Sequence, residues 1–199
     1  MKEISINGTS RADLGKKASK IARREGLIPC VIYGEKKGEN GLPEAQHFVV
    51  SERELNKVIY SPDIYLVRIN LDGTERTAVI REMQFHPVKD NVLHVDFYEV
   101  VPGKQIVMAV PISARGLAEG VRAGGKLIGM VRKLKVKATY DAIPEKLYID
   151  VAHLGLGKSI KAGELSFEGL ELVTPKDVVV YTVKMTRAAM GAAAAAAKA

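Results

Sequence analysis

Two side chains able to take up or release protons, His94 and Asp96, lie two residues apart in the segment 92–100. That segment alternates in polarity like a strand, with Val95 and Phe97 on the opposite face, so His94 and Asp96 are expected side by side. Such a pair suits acid–base catalysis or metal binding. It also suits base recognition, because a carboxylate accepts from exocyclic amines and an imidazole stacks or hydrogen-bonds. A surface pair without further function is the remaining alternative.

The catalytic and metal hypotheses lack supporting residues. The other histidines, His47, His86 and His153, make no ligand spacing with the pair, and the sequence has no G-x-S-x-G motif. The single cysteine, Cys30, lies in an apolar run and is expected to be a buried core residue in a reducing compartment. We therefore predict no catalytic residue and no metal site, and keep a hydrolase built on His94 and Asp96 as an alternative.

The densest positive charge lies on a predicted amphipathic helix between Leu14 and Glu25. One arc of the helix is apolar (Leu14, Ala18, Ile21, Ala22) and the opposite arc is basic (Lys16, Lys17, Lys20, Arg23, Arg24). Together with Arg11 and Asp13 the net charge is +5 within fourteen residues. A solvated helix usually intersperses acidic residues at i+4 spacing, so this unmixed basic face favours a phosphate partner over simple exposure to solvent.

Two further features leave alternatives open. Tyr33 ends the strand after the basic helix, where it can stack on a base, donate to a phosphate or be a half-buried core residue. A second basic stretch, residues 115–137, holds Arg115, Arg122, Lys126, Arg132, Lys133, Lys135 and Lys137 against Glu119. Its alternating lysines are compatible with RNA contact or with the solvent face of a sheet.

Composition agrees with a globular protein that meets a polyanion. The chain has 199 residues, a net charge of +7, a pI near 9.4 and an apolar fraction of 47%. No signal-peptide pattern or membrane-length apolar run is present in the sequence, so we expect a cytoplasmic protein without membrane contact.

The elements that must position these residues are mainly strands. In the first half, strands are predicted over 2–7, 27–33, 46–50, 64–71, 75–85 and 92–100, with a polar turn at 8–10, a capping box at Ser51 and a hairpin turn at Asp72-Gly73. The second half is predicted as mainly β, with strands over 106–114, 133–139, 147–151 and 178–184. We predict two domains, 1–99 and 100–187, and a disordered alanine-rich tail over 188–199.

Two long motifs, RADLGKKASKIARREGLIPCVIYG and LHVDFYEV, resemble the bacterial large-subunit ribosomal protein twenty-five family, whose N-terminal domain binds 5S rRNA. GLAEGVRAGGKL and IPEKLYIDVAHLGLGKSI resemble its long two-domain form, the general stress protein Ctc. The resemblance implies a closed six-stranded β-barrel with flanking helices, similar to the anticodon-binding barrels of glutaminyl-tRNA synthetase, and then a β-rich domain. It implies no enzyme activity, no cofactor and no small-molecule substrate, with magnesium ions on the RNA side only.

The same resemblance implies the function and the site. The protein would stabilise 5S rRNA at its loop E region in the central protuberance, next to other large-subunit rRNA and proteins; a tRNA-handling, anticodon-binding-like module is the alternative. The implied RNA-binding residues are Arg11, Lys16, Ser19, Lys20, Arg23, Arg24, Tyr33, Arg81, Gln84, His94 and Asp96. Simple alternation puts Arg81 and Gln84 on opposite faces of their strand unless a β-bulge intervenes.

Overall fold

A computed structural model describes residues 1–34 and 45–187. Its contacts group the chain into two compact units, residues 1–104 and residues from 105 onward. Strands dominate both units, which confirms the prediction of a mainly β protein. The predicted tail over 188–199 and the polar segment 35–44 lie outside the described residues.

The first unit is a closed six-stranded barrel, as the family resemblance implies. Neighbouring strands follow the order β1-β3-β2-β6-β5-β4, with β1 pairing both β3 and β4 to close the barrel. The elements are β1 (Lys2–Ser10), α1 (Lys16–Arg24), β2 (Leu27–Tyr33), β3 (Gln46–Ser51), α2 (Glu52–Ile59), β4 (Tyr65–Leu71), β5 (Thr74–Phe85) and β6 (Val92–Glu99).

Alternating apolar side chains fill the barrel. Phe48 and Phe97 are fully buried with ring centroids 5.8 Å apart, and the aliphatic residues of every strand pack around them. Cys30 is 1% exposed in this core, which confirms it as a buried core residue. Burial raises the pKa of the Cys30 thiol, and the nearby charge of Asp96 raises it further.

The turn predicted at residues 8–10 is wrong, because β1 continues to Ser10. Its first part pairs with β4, and at Gly8 it begins to pair with β3 as well. A Cβ at Gly8 would lie 2.7 Å from Leu71 Cδ2 and 2.8 Å from Phe48 Cδ2. The missing side chain thus lets the core pack against the backbone where the barrel closes.

The two helices differ in detail from the sequence-based prediction. Leu14, expected on the apolar arc of the helix, precedes α1 and is 57% exposed. Ile21 is 46% exposed, because α1 lies outside the barrel and turns Ala18 and Ala22 toward it. The capping box predicted at Ser51 is also wrong. Ser51 precedes α2 without a side-chain cap, and Glu54 Oε2 instead accepts from the backbone N–H of Asn7 on β1.

The predicted hairpin turn between β4 and β5 is confirmed. Leu71 pairs with Thr74, and the two residues between them have φ angles of 50° at Asp72 and 88° at Gly73. Positive φ at both central positions is what a two-residue turn requires to match the twist of its strands.

The second unit contains two sheets. A four-stranded sheet has the order β10-β7-β9-β12 and a three-stranded sheet the order β11-β13-β8. The elements are β7 (Gln105–Arg115), α3 (Glu119–Arg122), β8 (Lys126–Gly129), β9 (Lys133–Thr139), β10 (Leu147–Asp150), β11 (Ser159–Lys161), a 3-10 turn (Ala162–Glu164), β12 (Glu171–Leu172) and β13 (Val179–Lys184).

Candidate nucleic-acid interface

Three neighbouring barrel strands and one helix carry the predicted site residues. β6 lies between β2 and β5, and α1 packs against β2. Residues of these strands that alternate with the core positions point away from the barrel interior. We call this surface the α1 face. It consists of the outward side chains of β2, β6 and β5, of helix α1, and of Arg11, which precedes the helix in the sequence.

The centre of the α1 face is the pair His94 and Asp96. His94 Nδ1 lies 2.7 Å from Asp96 Oδ1, and both side chains are about one quarter exposed. With Nδ1 donating to the carboxylate, the imidazole Nε2 and the second carboxylate oxygen are the atoms left for a ligand. The geometry confirms that the two side chains share one face of the strand.

A β-bulge in β5 brings Arg81 and Gln84 to the same side of the sheet. Ile80 pairs with Phe97 but Glu82 pairs with Asp96, so Arg81 is the extra residue. Gln84 then lies directly opposite His94, and both Arg81 and Gln84 are exposed. Without this bulge, Arg81 and Gln84 would lie on opposite faces of β5 and could not contact the same ligand.

Tyr33 lies beside this cluster at the end of β2. It pairs with Tyr98 on β6, and the two rings meet edge to face with centroids 6.1 Å apart. Burial, followed by the negative charge of Asp96, raises the pKa of Tyr33, while Arg81 acts in the opposite direction. The hydroxyl therefore remains protonated at neutral pH and can donate to a phosphate oxygen.

Arg23 connects helix α1 to the strands. Its Nε donates to the carbonyl oxygen of Leu93 at 2.9 Å, directly before His94 in β6. The helix ends at Arg24, and Gly26, two residues further on, has a φ of 76°, the left-handed conformation typical of a residue that follows a helix. A guanidinium held in this way carries a positive charge to the edge of the His94–Asp96 pair.

Arg11 and Ser19 form a second connection. Both terminal nitrogens of Arg11 lie 3.4 Å from Ser19 Oγ, and the Arg11 backbone N–H donates to the His47 carbonyl. Arg11 Nε is buried and has no hydrogen-bond partner among the described residues. The Arg11 guanidinium therefore helps to hold α1 in place. It is less accessible to a ligand than the sequence suggested.

The remaining basic residues of the predicted RNA-binding set extend from helix α1. Lys16, Lys20 and Arg24 are exposed, and their side chains make no hydrogen bond or ion pair within residues 1–34 and 45–187. Their charge is therefore not neutralised by the described acidic residues, although Asp13 and Glu25 flank the helix in sequence.

Two residues of the α1 face were missed by sequence reasoning. Glu82 lies opposite Asp96, and its charge also acts on Tyr33. Tyr98 lies on the same face, where its ring meets that of Tyr33. The position of the bulge decides where Glu82 points, and no local sequence signal gives that position.

Metal binding and membrane insertion receive no support from the described residues. Across 1–34 and 45–187, no three His, Cys, Asp or Glu side chains come close enough to hold a metal ion. In the same part of the chain, no helix is both long enough and apolar enough to cross a membrane.

Comparison with known proteins covers nearly the whole chain. The Ribosomal L25p family model matches residues 6–97, and the model for the C-terminal domain of ribosomal protein TL5 matches residues 105–187. Proteins named large ribosomal subunit protein bL25 are similar over their full length. The one from Phocaeicola vulgatus is 57% identical and that from Bacteroides thetaiotaomicron 52%, each over 100% of both chains. That from Porphyromonas gingivalis is 51% identical over 97% of this chain and 98% of its own.

Proposed function

The chain belongs to the ribosomal L25p family, and from this premise we propose that it is a structural constituent of the large ribosomal subunit that binds 5S rRNA through the α1 face. The family consists of ribosomal structural proteins and not of enzymes, so the hydrolase alternative for His94 and Asp96 is excluded. The place of action is then the cytoplasm, on the ribosome, next to other large-subunit rRNA and proteins.

The observation that carries the proposal is the combination of two kinds of group on one surface. Exposed cations on α1 adjoin a cluster of hydrogen-bonding side chains on β6 and β5, joined by the bond from Arg23 to the Leu93 carbonyl. Cations attract any phosphate backbone and supply affinity without sequence information. Acceptors such as Asp96 repel phosphates and favour base edges.

This combination fits an irregular RNA helix better than a regular one. Side chains cannot read the deep, narrow major groove of A-form RNA, whereas distorted helices and loops present base edges and unstacked surfaces. The family resemblance implies that the protein binds the loop E region of 5S rRNA, and this region is an irregular helix of that kind. We place any magnesium ion on the RNA, where it would screen the phosphates facing Asp96 and Glu82.

In this proposal, Lys16, Lys20 and Arg24 contact phosphates, and Arg23 contacts a phosphate while fixing the helix. Tyr33 donates to the backbone or stacks on a base. Gln84, His94 and Asp96 contact base edges, with Arg81 on the adjoining strand. Ser19 and Arg11 complete the surface beneath the helix.

In the same proposal, residues 1–99 form the RNA-binding domain and residues 100–187 form the second domain.

Competition between RNAs tests the proposal against the tRNA-handling alternative. Labelled 5S rRNA bound to the full chain should be displaced by unlabelled 5S rRNA at far lower concentrations than by bulk tRNA. Equal displacement by the two competitors would contradict 5S specificity and favour an anticodon-binding-like role.

Removing the Asp96 carboxylate tests base recognition separately from charge. Asp96→Ala removes a negative charge, so a purely electrostatic surface would bind every RNA more tightly. We expect instead about fivefold weaker binding of 5S rRNA, because one base-edge contact contributes about 1 kcal/mol, together with unchanged or tighter binding of tRNA. Glu75→Ala removes an exposed carboxylate elsewhere on β5 and should leave the ratio of 5S to tRNA affinity unchanged.

A further inference from the structure

The excess positive charge of the chain lies mainly in the second unit. Residues 105–187 hold 13 basic and 8 acidic residues, a net charge of +5, whereas residues 1–104 hold 16 and 15, a net charge of +1. The α1 face is thus a local patch on a nearly neutral unit. A polyanionic partner is expected for the second unit on charge alone.

We propose that the outer face of the sheet β10-β7-β9-β12 is a second RNA-binding surface, built on the lysine row of β9. Lys133, Lys135 and Lys137 alternate with the buried residues Leu134 and Val136. All three lysines therefore leave the sheet on the same side, about 6.6 Å apart along the strand.

The lysine row is only partly neutralised by its own sheet. Lys137 Nζ lies 3.1 Å from Glu171 Oε2 on the neighbouring strand β12. The side chains of Lys133 and Lys135 make no ion pair or hydrogen bond in the part of the chain that the structure describes. Two adjacent ammonium groups on one strand repel each other, and a phosphate backbone would relieve that repulsion.

The strand beside the row keeps the surface flat. The β7 residues that pair with Lys137, Lys135 and Lys133 are Val107, Ala109 and Pro111. None of them carries a charge or a long side chain, so nothing on β7 neutralises the lysines or stands above them. A strand that only needed solubility would carry polar or acidic partners at these positions.

An aromatic ring completes the surface. Tyr148 on β10 pairs with Ser113, the next outward position of β7 after Pro111, and is 61% exposed. Leu147 and Ile149 on either side of it are buried, so Tyr148 points outward. An exposed aromatic ring near a lysine row is the arrangement that binds a nucleic-acid backbone by charge and a base or sugar by stacking.

RNA, and not an acidic protein, is the partner that these observations favour. The lysines are evenly spaced point charges, which suit the repeated charge of a phosphate backbone and tolerate a shift in register. Because this surface shares no residue with the α1 face, the proposed RNA contact goes beyond 5S binding and does not depend on it.

The test uses the full chain carrying Lys133→Gln and Lys135→Gln, with protein-free 23S rRNA as the probe. Binding is measured at several salt concentrations, with unlabelled 5S rRNA present in excess to occupy the first unit. Losing two phosphate contacts should make the slope of log K against log salt less steep by about 1.8 and weaken binding about 60-fold at 0.1 M salt. The matched control is Lys126→Gln with Lys184→Gln, a directly paired lysine couple on the other sheet.

We expect the Lys133→Gln and Lys135→Gln variant to lose affinity for 23S rRNA and the control variant to keep it. The affinity for 5S rRNA should be unchanged in both variants. Unchanged 23S binding in the first variant would overturn the proposal, as would equal weakening in both, which would indicate charge without a defined site. Normal 23S binding with failed incorporation into large subunits would also overturn it, in favour of a protein partner. If the chain does not bind 5S rRNA at all, the same comparison without 5S rRNA still decides the question.

Discussion

Replacing Lys16 and Lys20 by glutamine is expected to weaken 5S rRNA binding about 60-fold at 0.1 M monovalent salt. Each lysine that contacts a phosphate contributes about 0.9 to the slope of log K against log salt, so the pair contributes about 1.8. Both side chains are exposed on α1, one turn apart. The measurement is a salt titration of binding with labelled 5S rRNA, and the change of slope is as informative as the loss of affinity.

The chain offers a closely matched control on its other helix. Arg53 and Lys57 are also exposed, also four residues apart and also on a helix of the first unit. Changing both to glutamine removes the same charge, but α2 packs mainly on β1 and β3, which are not strands of the α1 face. If this variant weakens binding as much as the first, net charge and not the α1 face governs affinity.

Arg23→Ala is expected to cost about 1 to 3 kcal/mol of 5S binding, or roughly 5- to 150-fold. The substitution removes a cation from the RNA surface and also the bond to the Leu93 carbonyl that holds α1 against β6. Filter binding at moderate salt measures the loss. Arg23→Lys separates the two contributions, because lysine keeps the charge but lacks the Nε–H group of arginine.

Folding of the Arg23 variants can be checked through the single thiol. Cys30 is buried in the barrel core, and burial raises the pKa of its thiol, so it should react with a thiol reagent only when the first unit opens. A variant that binds weakly while Cys30 stays unreactive has lost a contact and not its fold. Unchanged affinity in Arg23→Ala would remove Arg23 from the site.

Strands with a clear apolar pattern were predictable, whereas three of the four strands of two to four residues in the described part of the chain were not. β9 was predicted to the residue because its apolar and polar positions alternate. β2 was predicted to the residue because it is a continuous apolar run that ends at Gly34. β10 alternates over its four residues and was predicted, but β8, β11 and β12 were missed, since strands this short usually carry too little pattern to stand out. Their pairing depends on tertiary contacts that local sequence does not encode.

The candidate site was predictable in its residue types but not in its geometry. The basic helix was evident from charge spacing, and the pairing of His94 with Asp96 followed from their separation. The apolar arc of the helix was predicted correctly for Ala18 and Ala22 but not for Ile21, because packing against β2 favours the small residues over the larger one. A bulge near Arg81 was inferred only as the condition under which Arg81 and Gln84 share a face, because it arises from pairing with β6 and leaves no local signal in the sequence.

Lysine-reactivity footprinting by mass spectrometry, on the full chain with and without 5S rRNA, tests the central claim most directly. The account predicts that 5S rRNA protects Lys16, Lys17 and Lys20 from an amine-reactive reagent, while Lys57 keeps its full reactivity and tRNA protects none of the four at the same concentration. Uniform protection of all four lysines, or full reactivity of the α1 lysines in saturating 5S rRNA, would contradict it.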